Sequence, residues 1–148
     1  MNYLLELRKQ FIEDKIKPII TEPGREIINQ AIEDGKTVII ATATNDFVTR
    51  PIADLFNVRT LIATEFEVIN QKFTGKVLNT PCFREGKVSK VKKWVDDNNF
   101  DLSKASFYSD SFNDLPLLEK VKNPVIVDGD DKLLEIGKNR NWDCISFR

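Results

Sequence analysis

The chain has 148 residues, of which 41% are hydrophobic and 30% are charged. This length and composition are typical of one soluble globular domain, so we expect residues 1–148 to form a single domain. Its 22 basic and 23 acidic residues nearly cancel and are scattered along the sequence, which argues against a surface for nucleic acid or anionic lipid. Because the chain contains no histidine, Ser-His-Asp triads, His-liganded zinc and imidazole acid–base catalysis are excluded.

Nothing in the sequence indicates a membrane span or a secretion signal. The longest apolar runs, such as residues 38–41 and 125–127, are far shorter than the roughly 20 residues that cross a bilayer. The N-terminus mixes charged and apolar residues and lacks the apolar core of a signal peptide. Cys82 and Cys144 are too few for a disulfide framework and have no zinc-binding spacing. We therefore expect a cytoplasmic protein with no membrane partner.

The first third of the chain predicts two helices and a strand. Apolar residues at helical spacing predict a helix over residues 3–17, which Pro18 ends. A second helix is expected to begin near Pro23 and to end at Gly35. The continuous apolar run that follows predicts a strand over residues 36–42, covered on both faces.

The remaining elements alternate in the same way. A polar turn over residues 42–46 leads into a helix, after which a strand at 60–63 and a hairpin over 65–77 are expected. Further helices are predicted at 87–97, 114–121 and 131–138, and further strands at 105–109, 124–127 and 144–147. Strands that alternate with helices predict an α/β fold, a three-layer doubly wound (Rossmann-like), mostly parallel sheet. Ligands bind such sheets at the carboxyl ends of the strands.

Two residues at this edge are suited to anion binding. Thr42 follows a predicted buried strand, where its hydroxyl and the next backbone amides are able to bind a phosphate. Lys87 lies at a predicted helix start, where a cation is unfavourable for the helix dipole unless an anion is near. Each also has an ordinary interpretation, Thr42 as a turn hydroxyl and Lys87 as a solvated side chain.

A polar loop follows the strand at residues 105–109. It carries two carboxylates, Asp110 and Asp114, together with the amide of Asn113 and the hydroxyl of Ser111, and Ser109 at the strand end adds a second hydroxyl. Oxygen ligands of this kind suit Mg²⁺. Helix capping by Ser111 or Asn113, with Asp114 at the positive end of the helix dipole, is the alternative.

Three stretches of the sequence resemble the haloacid dehalogenase (HAD) superfamily. They are Ile-Ile-Ala-Thr-Ala-Thr-Asn at 39–45, Phe-Arg-Glu-Gly-Lys-Val at 83–88, and Phe-Tyr-Ser-Asp-Ser-Phe-Asn-Asp-Leu-Pro-Leu-Leu at 107–118. The similarity runs from about residue 10 to the end of the chain, and the phosphoserine-phosphatase-like subfamily IB matches best.

The resemblance implies hydrolysis of a small phosphorylated metabolite through an aspartyl-phosphate, with Mg²⁺ as cofactor. It implies that Lys87 neutralises the phosphoryl charge, that Asp110 ligates the metal, and that Asp114 holds Lys87 and the water shell of the metal. The substrate-binding residues that it implies are Thr42, Ala43, Thr44, Asn45 and Asn113. Phosphoryl transfer requires mainly such positioning and charge compensation.

The sequence departs from the family at one central point. Family members begin with a strand that ends in Asp-x-Asp-x-Thr, which supplies the nucleophile and the general acid–base, and this sequence contains no such motif. The nearest forms, at 96–97 and 128–131, lie at a predicted helix end and in a late turn. We therefore expect a truncated HAD core that lacks its first strand and most of its helical cap, with residues 1–20 as a remnant of that cap.

In the family the missing strand is central, so its loss would leave unpaired backbone groups that cost on the order of 1 to 3 kcal/mol each. A second chain or segment, an exchanged strand from a like chain, or closure of the flanking strands would fill the gap. Otherwise the chain is an unstable product.

Two functions remain open at this stage. The first is an HAD phosphatase, incomplete or completed by another segment. The second is a non-catalytic remnant that binds phosphate, metal or a protein partner. A signalling receiver does not fit, because its acidic pair precedes the threonine and its lysine comes last. Nucleotide-binding glycine motifs are absent, and the sequence does not identify the substrate.

Overall fold

The structure, a computed structural model, describes residues 1–148. These residues form two compact units, Met1–Pro81 and Cys82–Arg148. The strands pair as two separate three-stranded sheets, one in each unit. None of the helices combines the length and the apolar character that crossing a bilayer requires.

The first unit contains three α-helices and three strands. The helices are α1 (Asn2–Phe11), α2 (Glu22–Glu33) and α3 (Asp46–Leu55), and the strands are β1 (Ile39–Asn45), β2 (Thr60–Ile69) and β3 (Lys72–Leu78). A π-helical turn at Ile12–Ile16 and a 3₁₀ turn at Lys17–Ile19 connect α1 to α2. β1 pairs in parallel with β2 across α3, and β2 and β3 form the predicted hairpin.

Strand β1 has the predicted length of seven residues but lies three residues later in the sequence, and it is irregular. Ala41 faces Ile62 of β2, but the next paired residue of β1 is Asn45, which faces Thr64. Residues 42–44 are therefore opposed by a single residue of β2, as in a β-bulge. The prediction of a turn over residues 42–46 was wrong, because the chain stays extended to Asn45 before α3 begins.

The second unit is built on a parallel sheet. Its helices are α4 (Glu85–Asp97), α5 (Leu115–Leu118) and α6 (Asp131–Arg140), and its strands are β4 (Ser106–Ser109), β5 (Asn123–Val127) and β6 (Asp143–Ile145). The strand order is β4-β5-β6, and both pairings are parallel. The predicted helix over residues 114–121 is shorter than expected, because a 3₁₀ turn at Phe112–Asp114 includes its first residue and α5 ends at Leu118.

The core of the second unit forms where α5, β5 and α6 meet. Leu118, Ile126 and Leu133 are fully buried there. Gly137 allows α6 to approach β5 closely, since a Cβ at this position would lie 2.3 Å from Cδ1 of Ile126. This packing places the carboxyl end of β4 and the loop that follows it on a rigid base.

The predicted α/β class and the parallel strand pairing are confirmed. Within its own sheet, β1 is bonded to β2 alone, and β4 is bonded to β5 alone. Each of these two strands is therefore an edge strand of its sheet.

Candidate active site

A buried ion pair lies at the carboxyl end of β4. Lys87 is in the first turn of α4, and its Nζ is 2.5 Å from Oδ1 of Asp114. The two side chains are only 8% and 10% exposed. The Ser109 hydroxyl donates to the other carboxylate oxygen of Asp114, at 2.7 Å. These contacts tie the start of α4, the end of β4 and the 3₁₀ turn together.

The ion pair gives Asp114 and Lys87 a contact that their ordinary interpretations did not include. The Asp114 carboxylate makes no capping bond to the helix that follows it, because Lys87 and Ser109 engage its two oxygens. Lys87 is not a solvated side chain, because it is buried against this partner. Ser111 caps the 3₁₀ turn, as the capping interpretation of the loop expected, and its hydroxyl accepts from the amide of Asn113 at 3.2 Å.

Asp110 differs from Asp114 in its surroundings. It is the first residue after β4, and it is exposed to solvent. Proteins usually bind Mg²⁺ through one or two carboxylates plus phosphate oxygens and waters, so Asp110 fits as one ligand. Residues 1–148 contain no group of three or more acidic or cysteine side chains arranged to hold a metal ion. This chain therefore offers a partial ligand set.

Sequence reasoning missed Arg84, which contacts the same loop. Its Nε donates to Oδ1 of Asn113 at 3.0 Å. Arg84 has φ 48° and ψ −120°. It lies in a four-residue turn in which the Gly86 amide donates to the Phe83 carbonyl at 2.9 Å. In this turn Arg84 has the backbone angles of the second residue. This is the second position of a type II′ turn, which strongly favours glycine. The only sequence signal was the position of Arg84 two residues before the glycine of the quoted stretch.

Sequence reasoning also missed Asp130. Its carboxylate caps α6 and accepts from the Phe112 amide at 2.6 Å, while its own amide donates to the Asp110 carbonyl at 2.9 Å. The Phe112 amide is the main reason why the pKa of the Asp130 carboxyl is held below its ordinary value. An aspartate at a predicted helix start was the available signal, but it predicts only the cap.

The predicted substrate-binding residues at 42–45 belong to the first unit. The Thr42 hydroxyl accepts from the Thr44 amide at 3.1 Å. The Asn45 side chain caps α3 by accepting from the Val48 amide at 2.9 Å. Ala43 and Thr44 are exposed. Asn45 thus has a structural role that sequence analysis did not assign to it, and the predicted substrate contacts of all four residues stay predictions.

A sequence model described as haloacid dehalogenase-like hydrolase matches residues 2–119. The chain belongs to this family. The resemblance seen in the sequence is therefore confirmed, including its similarity to phosphoserine phosphatases.

Two curated relatives have names that describe phosphatases. A histidinol-phosphatase of Neisseria meningitidis serogroup C is 32% identical to this chain, over 98% of the chain and 67% of that protein. A phosphoserine phosphatase of Mycobacterium tuberculosis is 26% identical, over 98% of the chain and 47% of that protein. The chain thus spans about two thirds of one relative and about half of the other.

Solved structures show the same fold. A protein of unknown function from Bordetella pertussis Tohama I superposes with a TM-score of 0.94 and 38% identity, over 99% of this chain and 67% of that one. A substrate-bound phosphoserine phosphatase superposes with a TM-score of 0.70 and 20% identity, over 100% of this chain and 73% of that one. The second likeness supports the fold alone.

Removal of one partner of the ion pair is expected to destabilise the protein strongly. Lys87→Met or Asp114→Asn should each lower the free energy of unfolding by about 3–5 kcal/mol, because a buried charge loses its partner. The double variant should lose less than the sum of the two single losses. Urea unfolding of the four proteins measures this coupling. Strictly additive losses, or single losses below about 1 kcal/mol, would contradict the ion pair.

The backbone of Arg84 generates a second expectation. Arg84→Gly and Arg84→Ala both lose the bond to Asn113, but only alanine keeps a Cβ at positive φ. The glycine variant should therefore be more stable by about 1 kcal/mol in urea unfolding. The control position is Ser89, exposed inside α4, where alanine should be the more stable by about the same amount. The same order at both positions would argue against strain at Arg84.

Proposed function

We propose that the protein is a magnesium-dependent phosphate-monoester hydrolase that acts through an aspartyl-phosphate. The observation that carries the proposal is the buried pair of Lys87 and Asp114 beside the exposed carboxylate of Asp110. A lysine held in this way offers its remaining N–H groups and its charge to a phosphate, since Asp114 accepts only one of its three donors. Membership of the hydrolase family, and relatives whose names describe phosphatases, support this proposal.

Each residue of the loop has a separate task in this proposal. Lys87 compensates the negative charge of the phosphoryl group as it is transferred, and Asp114 fixes the direction of the Lys87 ammonium. Asp110 would hold Mg²⁺, which when bound supplies further positive charge to the phosphoryl oxygens. Asn113, oriented by Arg84, contributes its amide to the same end of the sheet.

Thr42 is assigned to the phosphoryl oxygens on sequence resemblance. Its hydroxyl proton is free for such a contact, because Thr42 acts only as acceptor toward the Thr44 amide. The bulge of β1 at residues 42–44 interrupts its regular pairing with β2. Ala43, Thr44 and Asn45 would add backbone contacts to the substrate.

The nucleophile is proposed to come from outside residues 1–148. These residues contain no Asp-x-Asp-x-Thr, and Lys87 and Ser109 already engage Asp114. The missing aspartate would lie on another segment or a second chain, and its carboxylate would displace the alcohol from phosphorus before water cleaves the acyl phosphate. Small phosphorylated metabolites are the proposed substrates, and histidinol phosphate and phosphoserine are the first to test, given the names of the two relatives.

The experiment compares the purified chain with its Asp110→Asn variant. We expect the chain to bind inorganic phosphate in calorimetry more tightly when Mg²⁺ is present, and the variant to lose this dependence. Neither protein should release phosphate from p-nitrophenyl phosphate, histidinol phosphate or phosphoserine. Release should begin when a polypeptide that carries an Asp-x-Asp-x-Thr strand of the family is co-produced with the chain.

Three results would change this account. Turnover by the chain alone, above that of Asp110→Asn, would contradict the external nucleophile. Tight phosphate binding without turnover in any combination would favour a non-catalytic phosphate-binding module. Phosphate binding that Mg²⁺ and Asp110 do not affect would contradict the metal assignment.

A further inference from the structure

Asp130 holds the loop after β4 on both sides of Ser111. The Asp130 amide donates to the Asp110 carbonyl at 2.9 Å, which fixes the peptide group between Asp110 and Ser111. Its carboxylate accepts from the Phe112 amide at 2.6 Å, which fixes the next peptide group. Both peptide groups that follow Asp110 are therefore bonded to one residue that lies between β5 and α6.

Helix capping alone does not explain these contacts. A capping aspartate needs one carboxylate oxygen, and Oδ1 of Asp130 serves that purpose by accepting from the Leu133 amide at 2.9 Å. The bond to Phe112 uses the other oxygen and spans 18 residues of sequence. A further contact reinforces it, because the Lys132 ammonium lies 3.8 Å from the centre of the Phe112 ring. The start of α6 thus holds the loop through contacts that helix capping does not require.

The two hydrogen bonds of Asp130 matter because little else orients Asp110. Asp110 is exposed and lies outside β4, whereas Asp114 is held in place by Lys87 and Ser109. The direction of the Asp110 side chain consequently follows from its backbone, which Asp130 fixes. Groups that hold a metal ligand in place typically change metal affinity by about 10- to 100-fold when they are removed.

We propose that Asp130 is a positioning residue that sets the metal affinity of Asp110. The proposal rests on the proposed function, in which Asp110 is the metal ligand. Asp130 does not touch the metal; it acts through the backbone of residues 110–112. The same residue links the start of α6 to the metal-binding loop, so a change at this helix start alters the loop.

Asp130→Asn separates the two roles of the side chain. The asparagine oxygen still caps α6, but its NH₂ group faces the Phe112 amide and cannot accept from it. Asp130→Ser tests the same point, because serine is a good cap with a shorter reach. The matched control is Asp128→Asn, which removes one charge from the same segment, where Asp128 contacts Ser146 and Phe147.

Two measurements on the full chain test the proposal. Mn²⁺ binding, followed by electron paramagnetic resonance, should weaken about 10- to 100-fold in Asp130→Asn and Asp130→Ser, and less than about 2-fold in Asp128→Asn. Amide exchange without metal should accelerate at Phe112 and stay slow at Leu133 in the two Asp130 variants. A purely capping role would instead leave both the exchange at Phe112 and the Mn²⁺ affinity unchanged, because asparagine and serine still cap α6.

The outcomes distinguish this proposal from the function on which it rests. If the wild type binds Mn²⁺ and the Asp130 variants bind it equally well, the positioning role is overturned and the proposed function stands. Unchanged exchange at Phe112 would overturn the positioning role in the same way. If the wild type binds no Mn²⁺ at millimolar concentration, the metal assignment of Asp110 falls, and this proposal falls with it.

Discussion

A lysine and an aspartate lose their hydration when they are buried, and the cost is several kcal/mol for each charge unless the two charges meet with good geometry. Lys87 and Asp114 meet that condition, and Ser109 satisfies the remaining oxygen of Asp114. The contact joins residues that lie 27 positions apart. It therefore constrains how α4 can pack on the end of β4, and the loop from Asp110 to Asp114 takes its shape within that constraint.

The same interaction divides the two aspartates of the loop into different roles. Both oxygens of Asp114 accept hydrogen bonds, from Lys87 and Ser109, whereas Asp110 stays exposed. A site of this composition compensates charge, and the nucleophile is proposed to come from outside residues 1–148. Arg84 and Asp130, which contact Asn113 and Phe112, hold the loop from its two sides.

The local sequence pattern was sufficient to predict much of the fold. The alternation of apolar runs and amphipathic segments predicted the α/β class, and the polar pair Asn70 and Gln71 marked the hairpin turn, where both residues have positive φ. The bulge in β1 was not predictable, because it depends on its register with β2. Neither was the shortening of α5, which follows a 3₁₀ turn and ends at Leu118.

The candidate site was predictable from the sequence only in part. The residue types of Lys87, Asp110 and Asp114 and their order along the chain identified the family, but spacing alone left capping open for the loop. The structure shows the Ser111 cap and, in addition, contacts of the loop with Lys87 and Arg84 over 27 and 29 residues of sequence. Arg84 and Asp130 were missed because their partners lie 29 and 18 residues away. Such contacts follow from tertiary packing, which single-sequence patterns do not contain.

The most direct test of the account is a crystal structure of the chain grown with Mn²⁺ and inorganic phosphate. The account predicts an anomalous Mn²⁺ peak roughly 2.2 Å from a carboxylate oxygen of Asp110, the distance typical of hard cations and oxygen ligands. It also predicts a phosphate oxygen within hydrogen-bond distance of the Lys87 ammonium, with Asp114 still bonded to Lys87. Mn²⁺ bound elsewhere on the chain, or a phosphate that does not contact Lys87, would contradict the account.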